Sequence, residues 1–293
     1  MHPAVVASLR CPICRGPLAT SGAALRCGSG HAFDVARQGY VSFLAGKGTG
    51  LLGDDARMVD ARARFLGAGH YDPLSDALAA LAAGAGPGLV VEVGAGTGRH
   101  LARVLDALPA HAGLAVDLSK HASRRAARAH PRAGAIAADA RSALPVADAC
   151  ASVVLDVFAP RNAAELRRIL RPDGLLVVAT PEPEHLGELR APLGLLDVDP
   201  EKRRRVDDAL APLFERGASR ALGWRMALGR ADVVALASMG PSARHVDDAT
   251  LAERAAALPD PALVTAAVTV VAWTPRAETP APPSARADGS PAR

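Results

Sequence analysis

The chain has 293 residues, of which 49% are hydrophobic, and its 34 Lys and Arg against 30 Asp and Glu give a formal net charge of +4. This length and apolar content exclude a largely disordered chain and suffice for one large α/β domain with a small additional module. No apolar run approaches the ~20 residues of a membrane span, and the first residues lack a signal-peptide pattern, so we expect a cytoplasmic protein.

Cysteine spacing near the N-terminus predicts a metal site. Cys11 and Cys14 form a C-x2-C pair, and Cys27 and His31 form a C-x3-H pair. Two ligands from each of two short turns suit a tetrahedral zinc ion, and because all four positions are filled, the site is expected to be structural. Cys150 stands alone and is interpreted as a small buried hydrophobic residue.

Residues 1–45 are predicted to form this zinc module, with a short hairpin between the ligand pairs. Through Leu44 the module carries four arginines and one aspartate, namely Arg10, Arg15, Arg26, Arg37 and Asp34. A basic ribbon beside an enzyme core can bind nucleic acid, but it can equally be an ordinary solvated surface, and charge alone does not separate the two.

The next stretch, 46–83, is predicted to be a linker followed by connecting helices. It opens with a Gly-rich segment, 46–53, and apolar residues from Met58 to Leu66 then follow helical spacing. Residues 73–83 resume a helical pattern. These helices lead directly into the segment on which the rest of the chain depends.

Residues 84–274 are predicted to form an α/β domain with a doubly wound, Rossmann-like parallel sheet. Strands are expected at 89–93, 113–117, 134–138, 152–157 and 174–179, with helices near 98–108, 119–130 and 162–170. Further strands are expected at 219–228 and 264–273, and a basic helix at 201–210. The Pro- and Ala-rich tail, 275–293, is predicted to be disordered.

A glycine loop follows the first of these strands. The sequence L-V-V-E-V-G-A-G-T-G-R-H places Gly94, Gly96 and Gly98 after the strand, with Arg99 where a dinucleotide-binding loop would carry its third glycine. This departure disfavours a pyrophosphate ligand. A loop of the form E-x-G-x-G-x-G instead suits S-adenosylmethionine, a smaller and partly cationic ligand.

Acidic residues at three successive strand ends support this interpretation. Glu92 would lie near the amino or sulfonium group of the donor, Asp117 would accept the ribose hydroxyls, and Asp139 could meet the adenine amino group. Each acid could also be a simple helix cap. The backbone N–H groups of Arg99, His100 and Leu101 at the helix start would face the donor's carboxylate.

With the zinc spacing and the loop in hand, the chain resembles the 23S rRNA (guanine-N1)-methyltransferase family, and within it the tylosin-resistance branch of actinomycetes. The resembling segments are C-P-I-C, R-C-G-S-G-H-A-F-D-V-A-R-Q-G-Y-V, A-R-A-R-F-L-G-A-G-H-Y-D-P-L, V-V-E-V-G-A-G-T-G, D-L-S-K, D-V-F-A-P, R-R-I-L-R-P-D-G, A-T-P-E-P-E-H-L-G-E-L and M-G-P-S.

The resemblance implies a class I S-adenosylmethionine-dependent methyltransferase with zinc at its N-terminal module, acting on a 23S rRNA hairpin as a homodimer. It also implies donor contacts from Tyr71, His100, Leu101 and His185, and, for this branch, a link to macrolide resistance. From the residues alone, Tyr71 reads as a core aromatic and His185 as an exposed loop residue. Asp156 departs from the family pattern.

The reaction implied is transfer of the sulfonium methyl group to N1 of a guanine, and that nitrogen must lose its proton. Candidates to accept the proton are Asp156, Glu182, Glu184 and His185, and the sequence does not choose among them. The competing hypotheses are a small-molecule methyltransferase and a non-catalytic, zinc-dependent RNA-binding protein.

Overall fold

A computed structural model describes residues 1–44, 53–240 and 246–277 of the chain. Most of the predicted linker, the Pro-Ser of the M-G-P-S motif and the tail from 278 onward lie outside the described residues. Where the predicted tail overlaps the structure, the chain is ordered, since the last strand runs to Pro275 and the backbone N–H of Arg276 donates to Leu213. No helix in the described part of the chain is long and apolar enough to cross a membrane.

The N-terminal part consists of one short helix and four short strands. They are α1 (Pro3–Ser8), β1 (Leu18–Ser21), β2 (Ala24–Cys27), β3 (Ala32–Asp34) and β4 (Tyr40–Ser42). The strands β1, β2 and β3 form an antiparallel sheet of their own, whose first hairpin turns at Gly22 in the left-handed region. The hairpin predicted between the two ligand pairs is present.

Two helices precede the core, and the core then alternates strand and helix. The elements are α2 (Ala56–Gly67), α3 (Asp72–Ala82), β5 (Leu89–Val93), α4 (Arg99–Ala107), β6 (Ala112–Asp117), α5 (Lys120–Ala126), β7 (Ala133–Ala137), β8 (Ala151–Val157), α6 (Ala163–Ile169), β9 (Leu170–Pro181), α7 (Gly187–Leu193), α8 (Lys202–Leu210), β10 (Phe214–Leu228), α9 (Arg230–Ser238), α10 (Asp248–Ala256) and β11 (Ala262–Pro275). The strands and helices expected from the sequence all appear, with boundaries shifted by a few residues.

The central sheet has eight strands in the order β10-β11-β9-β8-β5-β6-β7-β4. Six neighbouring strands from β9 to β4 are parallel, whereas β11 is antiparallel to its two neighbours, β9 and β10. The doubly wound α/β fold is confirmed. The edge strand β4 comes from the predicted zinc module, so the chain of this module enters the main sheet before the core begins.

Alternating side chains of the sheet bury into two separate hydrophobic cores. The helices α2, α3, α4 and α5 cover one face, and α6 and α8 cover part of the other. The connection from β7 to β8 contains no helix, and α1 and the zinc module pack against the sheet there, with Val5 over Gly134. The module is therefore an integral part of the core packing.

Candidate functional site

The four predicted metal ligands converge at one point. The ligand atoms of Cys11, Cys14, Cys27 and His31 all lie within 4.8 Å of one another. The Sγ atoms of Cys14 and Cys27 are 3.6 Å apart, and Nδ1 of His31 lies 3.3 Å from Sγ of Cys27 and 3.5 Å from Sγ of Cys11.

The three separations of 3.3, 3.5 and 3.6 Å are close to those around a tetrahedral zinc ion. With Zn–S bonds of about 2.3 Å and Zn–N bonds of about 2.0 Å, a regular tetrahedron has edges of about 3.5 to 3.8 Å. A hydrogen bond from the backbone of Gly16, with others from Ser29 and His31, lowers the pKa of Cys14 to about 6, which favours the thiolate that binds metal. Cys150 lies away from this cluster, half-buried among apolar residues.

The glycine loop after β5 needs glycine at all three positions. Gly94, Gly96 and Gly98 have φ values of +63°, +55° and +74°. A Cβ at Gly94 would lie 2.5 Å from Cβ of Ala159, and one at Gly98 would lie 3.1 Å from Cα of Ala126. The loop is thus both left-handed and closely packed against two neighbouring segments.

Asp117 braces this loop from the end of β6. Its Oδ2 accepts a 2.7 Å hydrogen bond from the N–H of Gly96, and its Oδ1 accepts a 2.8 Å bond from the N–H of Ser119. Burial raises the pKa of Asp117, and the two N–H donors partly oppose that shift. The carboxylate joins the glycine loop to the start of α5.

Glu92 is 2% exposed and lies behind the loop. Its Oε2 accepts a 3.1 Å hydrogen bond from the N–H of Leu101, so this N–H, expected to face the donor's carboxylate, is already bound to protein. Burial raises the pKa of Glu92 to about 8, and the charge of Asp117 adds to the rise. Glu92 therefore ties the end of β5 to the first turn of α4.

A cavity of about 390 Å³ opens at the carboxyl ends of the parallel strands. Gly94, Asp117 and Asp139 line it, together with Phe158 and other residues of the loop after β8. Asp139 accepts hydrogen bonds from the backbone and side chain of Arg141. In doubly wound α/β folds, ligands bind at the carboxyl ends of the strands, which is where this cavity lies.

Arg62, which sequence reasoning did not select, lies across the loop at the cavity wall. A Cβ at Gly96 would be 2.9 Å from Cδ of Arg62. The guanidinium donates to Oδ2 of Asp54 at 2.7 Å and to the carbonyl of Met239 at 2.8 Å, while its Nε is buried and has no hydrogen-bond partner among the described residues. Arg62 belongs to the A-R-A-R-F-L segment, but its helical spacing gives no sign of this role.

Tyr71 and His185 meet in the core behind the loop. The Ala267 N–H donates to Nδ1 of His185 at 3.1 Å, and burial lowers the pKa of His185 to about 4. The neutral ring therefore carries its proton on Nε2, which donates to the Tyr71 hydroxyl 3.1 Å away. His185 is 8% exposed, so its interpretation as an exposed loop residue was wrong: the turn after β9 folds back onto β11.

His100 is likewise buried and neutral. Its Nδ1 lies 2.8 Å from Oγ of Ser75, and burial, assisted by the charges of Arg62 and Arg99, lowers its pKa to about 4. It is 7% exposed, so it is not a solvated first-turn residue. Its hydrogen bond links α4 to α3.

The loop after β8 is held by a buried ion pair. Asp156 is fully buried and accepts bonds from Nε of Arg161 at 2.8 Å and from the N–H of Ala159 at 3.3 Å. Phe158 between them adopts a left-handed φ of +57°, and its ring lies 5.8 Å from that of His185. The ring of His185 thus lies between those of Tyr71 and Phe158 and connects Tyr71 to this loop.

The ten predicted donor-site residues accordingly fall into two groups. Gly94, Asp117 and Asp139 line the cavity. The others lie in the loop or in the layer directly behind it: Tyr71, Glu92, Gly96, Gly98, His100, Leu101 and His185. The acids at 92 and 117 accept hydrogen bonds from backbone N–H groups near helix starts, but neither is a helix N-cap, since Gly98 and Ser119 hold those positions.

Two family models match the chain. A zinc-ribbon model described as "RlmA, N-terminal" matches residues 9–46, and a model described as "Methyltransferase domain" matches residues 90–174. The first covers the four metal ligands, and the second begins in β5 and includes the glycine loop.

Three curated proteins are similar over most of the chain. A Micromonospora griseorubida protein with the provisional name 23S rRNA (guanine-N(1)-)-methyltransferase is 52% identical, covering 94% of this chain and 100% of its own. The 23S rRNA (guanine(748)-N(1))-methyltransferase of Streptomyces fradiae is 49% identical, covering 94% and 99%. A Bacillus subtilis protein, also provisionally named 23S rRNA (guanine-N(1)-)-methyltransferase, is 35% identical, covering 72% and 76%.

Proposed function

Because the chain belongs to the 23S rRNA (guanine-N1)-methyltransferase family, we propose that it transfers a methyl group from S-adenosylmethionine to N1 of a guanine in 23S rRNA. The observation that carries this proposal is identity near one half over nearly the whole chain, from the zinc module through the methyltransferase core. The chain also contains both a zinc ribbon and a methyltransferase domain.

The glycine loop and its acids bind the donor in this proposal. The left-handed glycines let the ligand approach the backbone, and Asp117 at the end of β6 accepts the ribose hydroxyls with lone pairs that its two N–H donors leave free. Asp139 lines the same cavity and, in this proposal, accepts from the adenine amino group. Glu92 lies behind the loop, where it holds the N–H of Leu101 at the start of α4.

Arg62 is assigned to the donor's carboxylate. It is a cation at the cavity wall, and its buried Nε has no hydrogen-bond partner in the described part of the chain. A planar guanidinium suits a carboxylate better than it suits any other part of the donor, which is otherwise neutral or cationic. Its bonds to Asp54 and Met239 hold it at the loop.

From the layer behind the glycine loop, the Tyr71 hydroxyl contributes a further donor contact in this proposal. Because Nε2–H of His185 donates to the Tyr71 oxygen, the phenolic proton stays available for an acceptor on the ligand. The pair is buried and uncharged, so it orients this hydroxyl without adding charge to the site.

The loop from Val157 to Pro160 frames the target base. Since the sulfonium methyl is already activated, catalysis consists mainly of aligning N1 with the methyl group and excluding water. Asp156 is bound by Arg161 and buried, so it holds this loop in shape and is a positioning residue rather than the group that takes the N1 proton. Phe158 offers a ring beside the cavity.

The finer features of the substrate and assembly follow from the resemblance. We propose that the guanine lies in a hairpin loop, where a base leaves its stack at low cost, and that the zinc module contacts this hairpin. We also propose that the protein works in the cytoplasm as a homodimer, with analytical ultracentrifugation as the test of the dimer. The link to macrolide resistance stays a prediction.

Methyl transfer can be tested with purified protein, 23S rRNA and donor carrying a labelled methyl group. The proposal predicts that label enters the rRNA, and that it is lost in Asp117→Ala because the ribose ligand is removed. Label appearing only in protein or in a small molecule would contradict it. Deleting residues 1–45 would be a poor control, since Leu9, Leu18 and Leu25 of the module belong to the packed core.

A further inference from the structure

The exposed side of α5 carries a row of cations. Lys120, Arg124 and Arg128 follow one another at intervals of four residues, and His121 lies beside them. This spacing places the three charges on one side of the helix and its final turn, while Ala122 and Ala126 on the opposite side are buried.

These cations are not engaged by any part of the chain that the structure describes. The side chains of Lys120, Arg124 and Arg128 are exposed and make no hydrogen bond or ion pair with any described residue. Arg125 alone on this helix pairs with an acid, Asp60 of α2. The row therefore presents uncompensated positive charge.

The other basic stretch of the chain differs in this respect. On α8, Arg203 pairs with Glu182, Arg204 with Glu201 and Asp208, and Arg205 with Asp199. The charge of that stretch is balanced within the protein. The arginines of α8 thus form an ordinary surface of ion pairs, whereas the cations along α5 form an open cationic surface.

The row borders a concave surface. A depression of about 410 Å³ is lined by Arg124, Arg125, Arg128 and His121 on one side and by α2 residues such as Val59 on the other. The opposite side of α2 contributes Met58 and Arg62 to the donor cavity. One helix therefore separates this depression from the cavity.

The row also connects the two functional parts of the molecule. Its first end begins at Ser119, which caps α5 and donates to Asp117 in the donor cavity. Its other end reaches the zinc module, because a Cβ at Gly39 in the β3–β4 turn would lie 3.9 Å from Cβ of Ala127. Arg37, in the same turn, is exposed and has no partner among the described residues.

We propose that Lys120, Arg124, Arg128 and Arg37 form a track that binds the phosphate backbone of the RNA substrate between the zinc module and the donor cavity. This inference rests on the proposed function. Unpaired exposed arginines bind phosphates by releasing counterions, so the contribution is independent of sequence and sensitive to salt. The track sets where the hairpin lies, and the loop from Val157 to Pro160 receives the flipped base.

The test compares the full-length protein with the triple variant Arg37→Gln, Arg124→Gln, Arg128→Gln. We expect binding to a 23S rRNA hairpin transcript to weaken about tenfold or more at moderate salt. The slope of log K against log salt should become less steep by about 2 to 3, because three phosphate contacts are lost and each contributes just under one unit. Donor affinity should be unchanged, because none of the three arginines lines the donor cavity.

A matched control removes the same charge elsewhere. Arg204→Gln, Arg216→Gln, Arg230→Gln removes three exposed arginines that each pair with an acid, and it should leave the salt slope unchanged. The variant Arg37→Lys, Arg124→Lys, Arg128→Lys should retain the slope, since phosphate binding here needs charge rather than a fixed geometry.

Three results would overturn the inference. The first is an unchanged salt slope in the glutamine variant, and the second is an equal loss of RNA binding in the matched control. The third is a glutamine variant that binds RNA as well as the unaltered protein does but no longer binds vesicles of anionic phospholipid. Failure of the proposed function would look different, because the unaltered protein would then transfer no methyl group to 23S rRNA.

Discussion

At the scale of single residues, the donor pocket depends on a buried, uncharged pair, Tyr71 and His185. We predict that Tyr71→Phe keeps the fold, since the ring still packs against Phe65 and Trp224, but lowers affinity for the donor roughly threefold to tenfold through loss of one hydrogen bond. Calorimetric titration with S-adenosylhomocysteine measures this. Equal affinity in both proteins would exclude the hydroxyl from the pocket.

Glu92 is expected to make the free energy of unfolding of the ligand-free protein depend on pH. Its pKa is raised from 4.5 to about 8 in the folded protein, so the native state holds a proton that the unfolded chain releases. The free energy of unfolding therefore falls as pH rises between these values. In Glu92→Gln, which keeps an oxygen for the Leu101 N–H, this contribution is absent.

We accordingly predict that Glu92→Gln gains stability relative to the unaltered protein as pH rises from 5 to 8. Urea unfolding of both ligand-free proteins across this range measures the difference. A difference that stays constant with pH would show that Glu92 is ionised in the folded state throughout.

At the scale of elements, the glycine loop connects β5, α4 and α5. We predict that Gly98→Ala lowers the free energy of unfolding by about 1–3 kcal/mol and weakens donor binding, because its left-handed φ and the contact with Ala126 both resist a side chain. Gly67→Ala is the control, since a Cβ there meets nothing within 4 Å. Thermal unfolding of the two variants should separate them, and equal stabilities would contradict the loop geometry.

The zinc module is predicted to stabilise the whole chain. Its Cys11 and Cys27 pack in the same core as Ile136 of the central sheet. Cys14→Ser, or removal of zinc by a chelator, should therefore lower Tm by roughly 10 °C or more. Elemental analysis should find one zinc per chain in the unaltered protein and in Cys150→Ala. An unchanged Tm after zinc loss would show that the module folds independently of its metal.

At the scale of the whole molecule, periodicity and motif spacing predicted the sheet, the glycine loop and the convergence of the four metal-ligand residues. The apolar run at 89–93 and its glycines are local signals, and so is the spacing of Cys11, Cys14, Cys27 and His31. A continuous apolar strand or a ligand pair within one turn depends mainly on neighbouring residues, so the sequence alone suffices to find it.

Features that depend on distant segments could not be predicted in this way. Arg62 reaches the loop from α2. His185 is buried because its turn folds back onto β11, where the N–H of Ala267 donates to it. Neither role is visible in local spacing. The entry of β4 into the main sheet, and the cover that α1 gives where the β7–β8 connection lacks a helix, likewise arise from tertiary packing.

Reverse transcription tests most directly whether the protein modifies one guanine of 23S rRNA at N1. Methyl transfer to N1 blocks base pairing, so 23S rRNA incubated with the purified protein and S-adenosylmethionine should give a strong new stop beside a single guanine in a hairpin loop. The stop should be absent without the donor and with Asp117→Ala. Full-length extension through every hairpin after complete incubation would contradict the account.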